Sequence, residues 1–305
     1  MRRRLQRGVA LVLAMGVAAL AALVASAILV GQGTAFRQAE LQSAQLQARS
    51  LAAAGIDWAR AVLYEDRRLG TVDHAGEPWA VKNARLPFEQ GGMSGAIEDQ
   101  QALFNLNNLL AGERINQAEL LRYARLLRQL ALPETLAETL ADWLDADDLP
   151  RSAASAEDAY YLGLEPPYTA ANRRLFELGE LALVRGYDEA VLQRLRPFVT
   201  ALPRATQMNI NTAPAELLAA SFDGLDLEAA RALVAARERT AFASLADVAA
   251  RLGRGVTLPV SGVAFGSDFF KVDVRVRYGP AQARASALLQ REATGWPLVT
   301  WRKIQ

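Results

Sequence analysis

The sequence predicts an α+β fold in which one long N-terminal helix packs on an antiparallel sheet and a large helical block is inserted between the strands. Three observations predict it. An apolar N-terminal run passes without a break into an amphipathic stretch of helical period. The middle of the chain is dense in helical patterns, and the C-terminal stretch alternates apolar and polar side chains in the two-residue period of a strand.

The N-terminal element begins with a basic leader, Arg2, Arg3, Arg4 and Arg7, and no charged residue follows from Gly8 to Phe36. Val9 to Val30 is almost wholly apolar and, at roughly 20 residues, long enough to cross a bilayer as a helix. The arginines place the leader on the cytoplasmic side, and everything after about Ala35 should then lie outside the inner membrane. Three readings fit this region. It is a secretory signal peptide cut near Ala25–Ala27, an uncleaved anchor, or a leader cut on the cytoplasmic side between Gly8 and Val9. A signal peptide's apolar region runs to about 7–15 residues, shorter than this one. A basic leader ending in Gly and followed at once by the apolar run resembles the prepilin pattern. Ala10, Ala14, Ala18 and Ala22 lie at four-residue spacing, which lets helices approach closely in lipid.

From Arg37 to Leu63 there is no proline, and Gly55 is the single glycine. Leu41, Ala44, Ala48, Leu51, Ala52, Gly55, Ile56, Ala59, Val62 and Leu63 recur at helical spacing, so the helix continues out of the bilayer. A helix from Val9 to Glu65 would be roughly 85 Å long at about 1.5 Å per residue.

Gly70 to Pro87 reads as loop and Gly95 to Leu110 as mixed strand and turn. Asn116 with Glu119 opens a helix, and Pro133 opens another that runs to Leu144. Further helices are expected over Arg174–Val184, Asp188–Leu195, Ala213–Ser221, Leu227–Arg239 and Leu245–Leu252. Asp268 to Tyr278 is a half-buried strand, Gly279-Pro280 a turn, Gln282–Gln290 the returning strand and Pro297–Ile304 a third. The resulting organisation is 1–8 leader, 9–66 N-terminal helix, 67–110 first part of the α+β domain, 111–264 inserted helical domain and 265–305 C-terminal strands.

Composition excludes several functions. The chain of 305 residues has 34 basic and 33 acidic residues, a formal net charge of +1, so no overall charge draws it to nucleic acid. It has no cysteine, which removes disulfides and thiolate metal sites. His74 is the single histidine and falls in a loop. Gly91 to Ala96, GGMSGA, lacks the second glycine of a nucleophile elbow at the required spacing and reads as a turn. Nothing assembles an enzyme site.

Two motifs carry chemistry. Asp142, Asp145, Asp147 and Asp148 stand in DWLDADD, with Glu157 and Asp158 shortly after. Such a loop is either a solvated acidic surface with helix caps or a cation site, since Ca²⁺ takes about 6–8 oxygen ligands. The spacing is not that of an EF-hand. The second motif, NINTAPAELLAASF, opens what looks like a helix-hairpin-helix module. Those modules hold DNA phosphates at helix N-termini. Its hairpin, FDGLDLEA, has one Gly and two Asp, so a phosphate would meet negative charge. A protein-facing or structural role is expected, and membrane-tethered DNA binding is the alternative.

The whole chain resembles the general secretion pathway protein K family, the minor pseudopilins of type II secretion systems. The resemblance rests on the leader through Gly8, GAIEDQQALFNLNNL, DWLDADD followed by AEDAYY, LEPPYTAANRRL with ELALVRG, LPRATQMNINTAPAELLAA and the terminal strands. It implies a type IV pilin-like fold with a helical insertion, cleavage by prepilin peptidase between Gly8 and Val9, and N-methylation of the new terminus. It also implies a tip complex with other minor pseudopilins, contact with the major pseudopilin and the inner-membrane platform, and no nucleic-acid partner. It further implies calcium, held by Asp145, Asp147, Glu157 and Asp158 with Asp142 and Asp148 as further candidates. Three positions depart from the pattern. Val9 stands where pilins have Phe, QQALFN lacks a Gly-Arg before Phe104, and Leu13 replaces the Glu of most pilins. The last departure resembles the K subunit itself and points to a place at the filament end.

Overall fold

The computed structural model describes residues 3–253, 255–258 and 261–305, with residues 3–8 described by their backbone alone. Met1 and Arg2 of the expected leader therefore lie outside the described residues. Helix α1 runs unbroken over Arg3–Leu69. Its apolar part is bare among the described residues, with Leu11, Val12, Leu20 and Leu29 all exposed. In the second half Ala44, Ala48, Ala52, Ile56, Ala59 and Leu63 are buried against the sheet.

The sheet has five strands in the order β1, β2, β3, β4, β5, all antiparallel. They are β1 Ala84–Phe88, β2 Gly91–Asp99, β3 Phe269–Tyr278, β4 Ala281–Gln290 and β5 Leu298–Ile304. Alternation sets which side chains face the helix. Val272, Val274 and Val276 on β3 and Ala281, Ala283, Ala285 and Ala287 on β4 point inward. Alanines on α1 thus lie over alanines on β4, which brings helix and sheet close together. The approach is tightest at Gly55, where a Cβ would stand 2.7 Å from Val274 Cγ1 and 2.9 Å from Met93 Sδ.

Between β2 and β3 the chain leaves the sheet and builds a helical block with its own core. Its helices are α2 Gln117–Gln129, α3 Thr135–Leu144, α4 Asp158–Tyr161, α5 Glu189–Leu195, α6 Ala215–Ser221, α7 Leu227–Arg237 and α8 Leu245–Ala249. Asn116 caps α2, its side chain accepting from Ala118 N at 3.1 Å and Glu119 N at 3.4 Å.

Three local expectations are corrected. GGMSGA is strand, not turn, because β3 supplies a full ladder of partners from Tyr278 to Phe270. The loop expected to extend to Pro87 gives way to β1 at Ala84. The helix expected over Arg174–Val184 shortens to a 3-10 segment, Leu178–Leu183, with a capping box between Glu177 and Glu180. Strand β2 ends at Asp99, and Phe104, Leu106, Leu109 and Leu110 pack in the helical core.

Candidate functional site: a buried carboxylate cluster and a polar seam

Helix α3 ends at Leu144, with Asp142 in its last turn and Asp145 as its C-cap. The following loop returns Glu157, just before α4, to the same place. The three carboxylates offer oxygens within 4.8 Å of one another, and all three residues are buried. Arg151 is their one cationic neighbour among the described residues. Its backbone N donates to Asp142 Oδ2 at 3.0 Å, its Nε lies 3.1 Å from Asp142 Oδ1, and its Nη2 pairs with Asp145. Asp142 Oδ1, Asp145 Oδ1 and both Glu157 carboxylate oxygens accept no hydrogen bond.

One guanidinium cannot neutralise three buried carboxylates, and the titration shifts reflect that. Burial raises Asp142 and Asp145 above the ordinary carboxylate range, against the pull of Arg151. Burial, then repulsion from Asp142 and Asp145, pushes Glu157 up to about 8. Orphaned oxygens in a compact, hard, all-oxygen donor set fit a hard divalent cation such as Ca²⁺. Asp142, Asp145 and Glu157 are the residues that can hold one.

The other expected ligands stand apart from this cluster. Asp147 and Asp148 are exposed, and Asp147 Oδ1 accepts from Leu149 N at 3.0 Å. Asp158 turns away to accept from Ala170 N at 2.8 Å. Arg151 was not singled out in the sequence. The signal was present, since a lone arginine follows DWLDADD at a separation that a single loop can close. At the other end of the molecule Gly8 lies within α1, and Val9 and Leu13 are exposed on its apolar part.

The NINTAP segment has a structural task. Asn209 Nδ2 donates to Asp99 Oδ2 at 3.1 Å and to Asp73 O at 3.1 Å. Thr212 Oγ1 donates to the same Asp99 oxygen at 2.6 Å and Ser267 Oγ at 2.7 Å. Asp99 is thereby the buried hub between sheet domain and helical block. Asn211 closes a reciprocal pair with Phe242, giving to its carbonyl and accepting from its N–H, each at 2.9 Å. Beside this hub Arg291 pairs with Asp66 at 2.7 Å and with Asp73. In the hairpin between α6 and α7, Asp226 caps the start of α7, accepting from Ala229 N at 2.7 Å. That side chain occupies one amide that a phosphate would need and brings negative charge to the hairpin.

Residues 102–204 and 208–261 match two sequence models, both described as Type II secretion system (T2SS), protein K. A curated relative called Type II secretion system protein K, from Pseudomonas aeruginosa, is 36% identical over 305 residues, covering 96% of this chain and 91% of the relative. Another of that name, from Pectobacterium carotovorum subsp. carotovorum, is 34% identical over 313 residues, covering 95% and 93%. The chain belongs to the type II secretion system protein K family. Protein K is a minor pseudopilin of that system, a structural subunit. The crystal structure of the GspK-GspI-GspJ complex from enterotoxigenic Escherichia coli has the same fold. It aligns with TM-score 0.70 at 23% identity over 88% of this chain and 99% of that one. The α+β pilin-like architecture with a helical insertion is thus the architecture of protein K.

Proposed function

We propose that this chain is the tip subunit of a type II secretion pseudopilus and starts its assembly for protein export across the outer membrane. The observation that carries the reading is α1, a single helix whose first half is apolar and bare and whose second half is buried on the sheet. Such a helix anchors a folded domain at a fixed height above a bilayer. Removal of the leader between Gly8 and Val9 by prepilin peptidase would leave the anchor on the mature protein, with its domain in the periplasm. The alanine row from Ala10 to Ala22 would pack against the helices of sister minor pseudopilins, as GspK is joined with GspI and GspJ in the solved complex. The major pseudopilin and the inner-membrane platform are the further partners.

Leu13 supports the end position. An acidic side chain at this depth is costly in hydrocarbon unless a partner meets it. A subunit with nothing above it has no such partner, and Leu13 leaves no orphan charge. The helical block adds bulk that would crowd a regular helical stack. Calcium at Asp142, Asp145 and Glu157 would hold the end of α3 to the start of α4.

Deleting the gene should reduce both secretion and filament initiation, and gold-labelled antibody should mark filament ends. Label spaced regularly along the shaft would overturn the tip assignment.

A further inference from the structure

The outer face of the sheet, opposite α1, carries charges that the fold itself does not use. Arg275 on β3 stands directly opposite Arg284 on β4. Like charges in directly opposed positions destabilise an antiparallel pair. Lys303 on β5 projects from the same face, opposite Ser286. All three are exposed, and none makes an ion pair among the described residues. Ser94, Ala96 and Ser286 give the face a floor of short side chains, forming a trough of about 490 Å³. Two carboxylate side chains among the described residues also line it. Asp273 is paired with Lys271 at 2.8 Å, and Glu98 stands at the far end beside Lys271. The unpaired charge in the middle of the trough is therefore positive, in a chain whose net charge is only +1.

We propose that this trough docks an acidic protein surface belonging to a partner outside the bundle of pseudopilin helices. The inference rests on the anchored-subunit reading above. Two geometric facts select the partner. First, α1 covers the opposite face of the sheet, so sister subunits that pack helix on helix meet on the other side. Second, lipid headgroups are out of reach. Gly55 packs on Val274, the neighbour of Arg275, and lies roughly 25 residues beyond Val30, or ~37 Å along the helix. Charges are screened over about 8 Å at physiological salt. A carboxylate-rich protein surface remains, and it would relieve the opposition of Arg275 and Arg284 on docking.

The test uses the full chain in cells with a working secretion system, carrying photoreactive p-benzoylphenylalanine in place of Ser94. Irradiation should give a crosslink whose partner peptide is rich in Asp and Glu. Arg275→Glu with Arg284→Glu should cut its yield at least tenfold, while sister minor pseudopilins still co-purify as with the unmutated chain. The neutral pair Arg275→Gln with Arg284→Gln should also lose the crosslink, with a melting temperature equal to or above that of the parent, which separates lost docking from lost folding. A crosslink to a sister subunit, to lipid alone or to a peptide without carboxylates overturns the proposal, as does a yield that charge reversal leaves unchanged. Failure of the unmutated chain to co-purify with its sisters refutes the assembly reading, and with it the premise that places the partner outside the bundle.

Discussion

Asn209 Nδ2 and Asp99 Oδ2, 3.1 Å apart, join the helical block to the sheet. Asn209 is fully buried and spans Asp99, Asp73 and Ser267 with one amide. Removing a buried hydrogen-bond partner costs about 1–3 kcal/mol, more when the orphaned group is charged. Asn209→Ala should therefore lower unfolding free energy by about that amount. Asn209→Asp should cost more, since it adds a carboxylate beside Asp99 and Asp73. Urea denaturation of the full chain in detergent measures both, and a stability equal to the parent's would refute the hub assignment.

The buried carboxylate cluster predicts a response to chelator. A cation bound only by the native state at 100 times its dissociation constant adds about 2.7 kcal/mol. The melting temperature should fall on adding chelator and recover with Ca²⁺. Asp145→Ala with Glu157→Ala should remove the difference, whereas Asp147→Ala should retain most of it. A melt insensitive to chelator would remove the cation from the account.

A pH dependence follows in the cation-free protein. Burial and the neighbouring aspartates raise Glu157 from 4.5 to about 8 in the native state. Between those values the native state keeps a proton that the unfolded chain has released, so stability falls as pH rises. Asp142 and Asp145 are raised as well and act in the same direction. In chelator the melting temperature should decline from about pH 4.5 to about pH 8. Glu157→Gln should flatten that slope, and saturating Ca²⁺ should suppress it.

Gly55 sets the closest approach of α1 to the sheet. Gly55→Ala gains about 1 kcal/mol of helix propensity. It also places a Cβ 2.7 Å from Val274 Cγ1. Overpacking of this kind costs about 1–3 kcal/mol, so the net change should be a loss of up to ~2 kcal/mol. Val274→Ala in the same chain should restore part of it. Thermal melts of the two single variants and the pair decide the point.

The leader should be cut between Gly8 and Val9. Gly8→Glu should leave the full-length chain in the membrane, with the mass of the N-terminal peptide as the readout. A mature terminus near Ile28 would assign an ordinary signal peptide instead.

The elements most legible in the sequence are those whose period repeats without interruption. The small and apolar residues from Ala44 to Leu63 mark the buried face of α1, and the alternation from Phe270 to Val276 marks β3. Leu41, on the same period, stays exposed because the sheet does not extend far enough to cover it. β2 was hidden because Gly91, Gly92 and Gly95 lack the side chains that signal a strand, and pairing with a distant segment decides its conformation. The carboxylate site was legible as a stretch of sequence but not as a set of ligands. Separating Asp142 from Asp147 requires knowing where α3 ends, and the burial of Glu157 depends on a loop that comes back on itself.

The pairing of Asp99 with Phe270 joins strands separated by the entire helical block. Closing a disordered loop of roughly 170 residues would cost on the order of 4–5 kcal/mol of chain entropy. The helical block, once folded, shortens that search. Its two ends already meet where Ser267 Oγ donates to Asp99 Oδ2 at 2.7 Å. β3 is thereby held at the edge of β2 that the β1–β2 hairpin would otherwise leave bare. In the folded chain the helical block is a clamp on its own termini, and the C-terminal strands complete the sheet that the hairpin begins. A chain truncated before β3 would leave the hairpin permanently open along the side where the sheet should close.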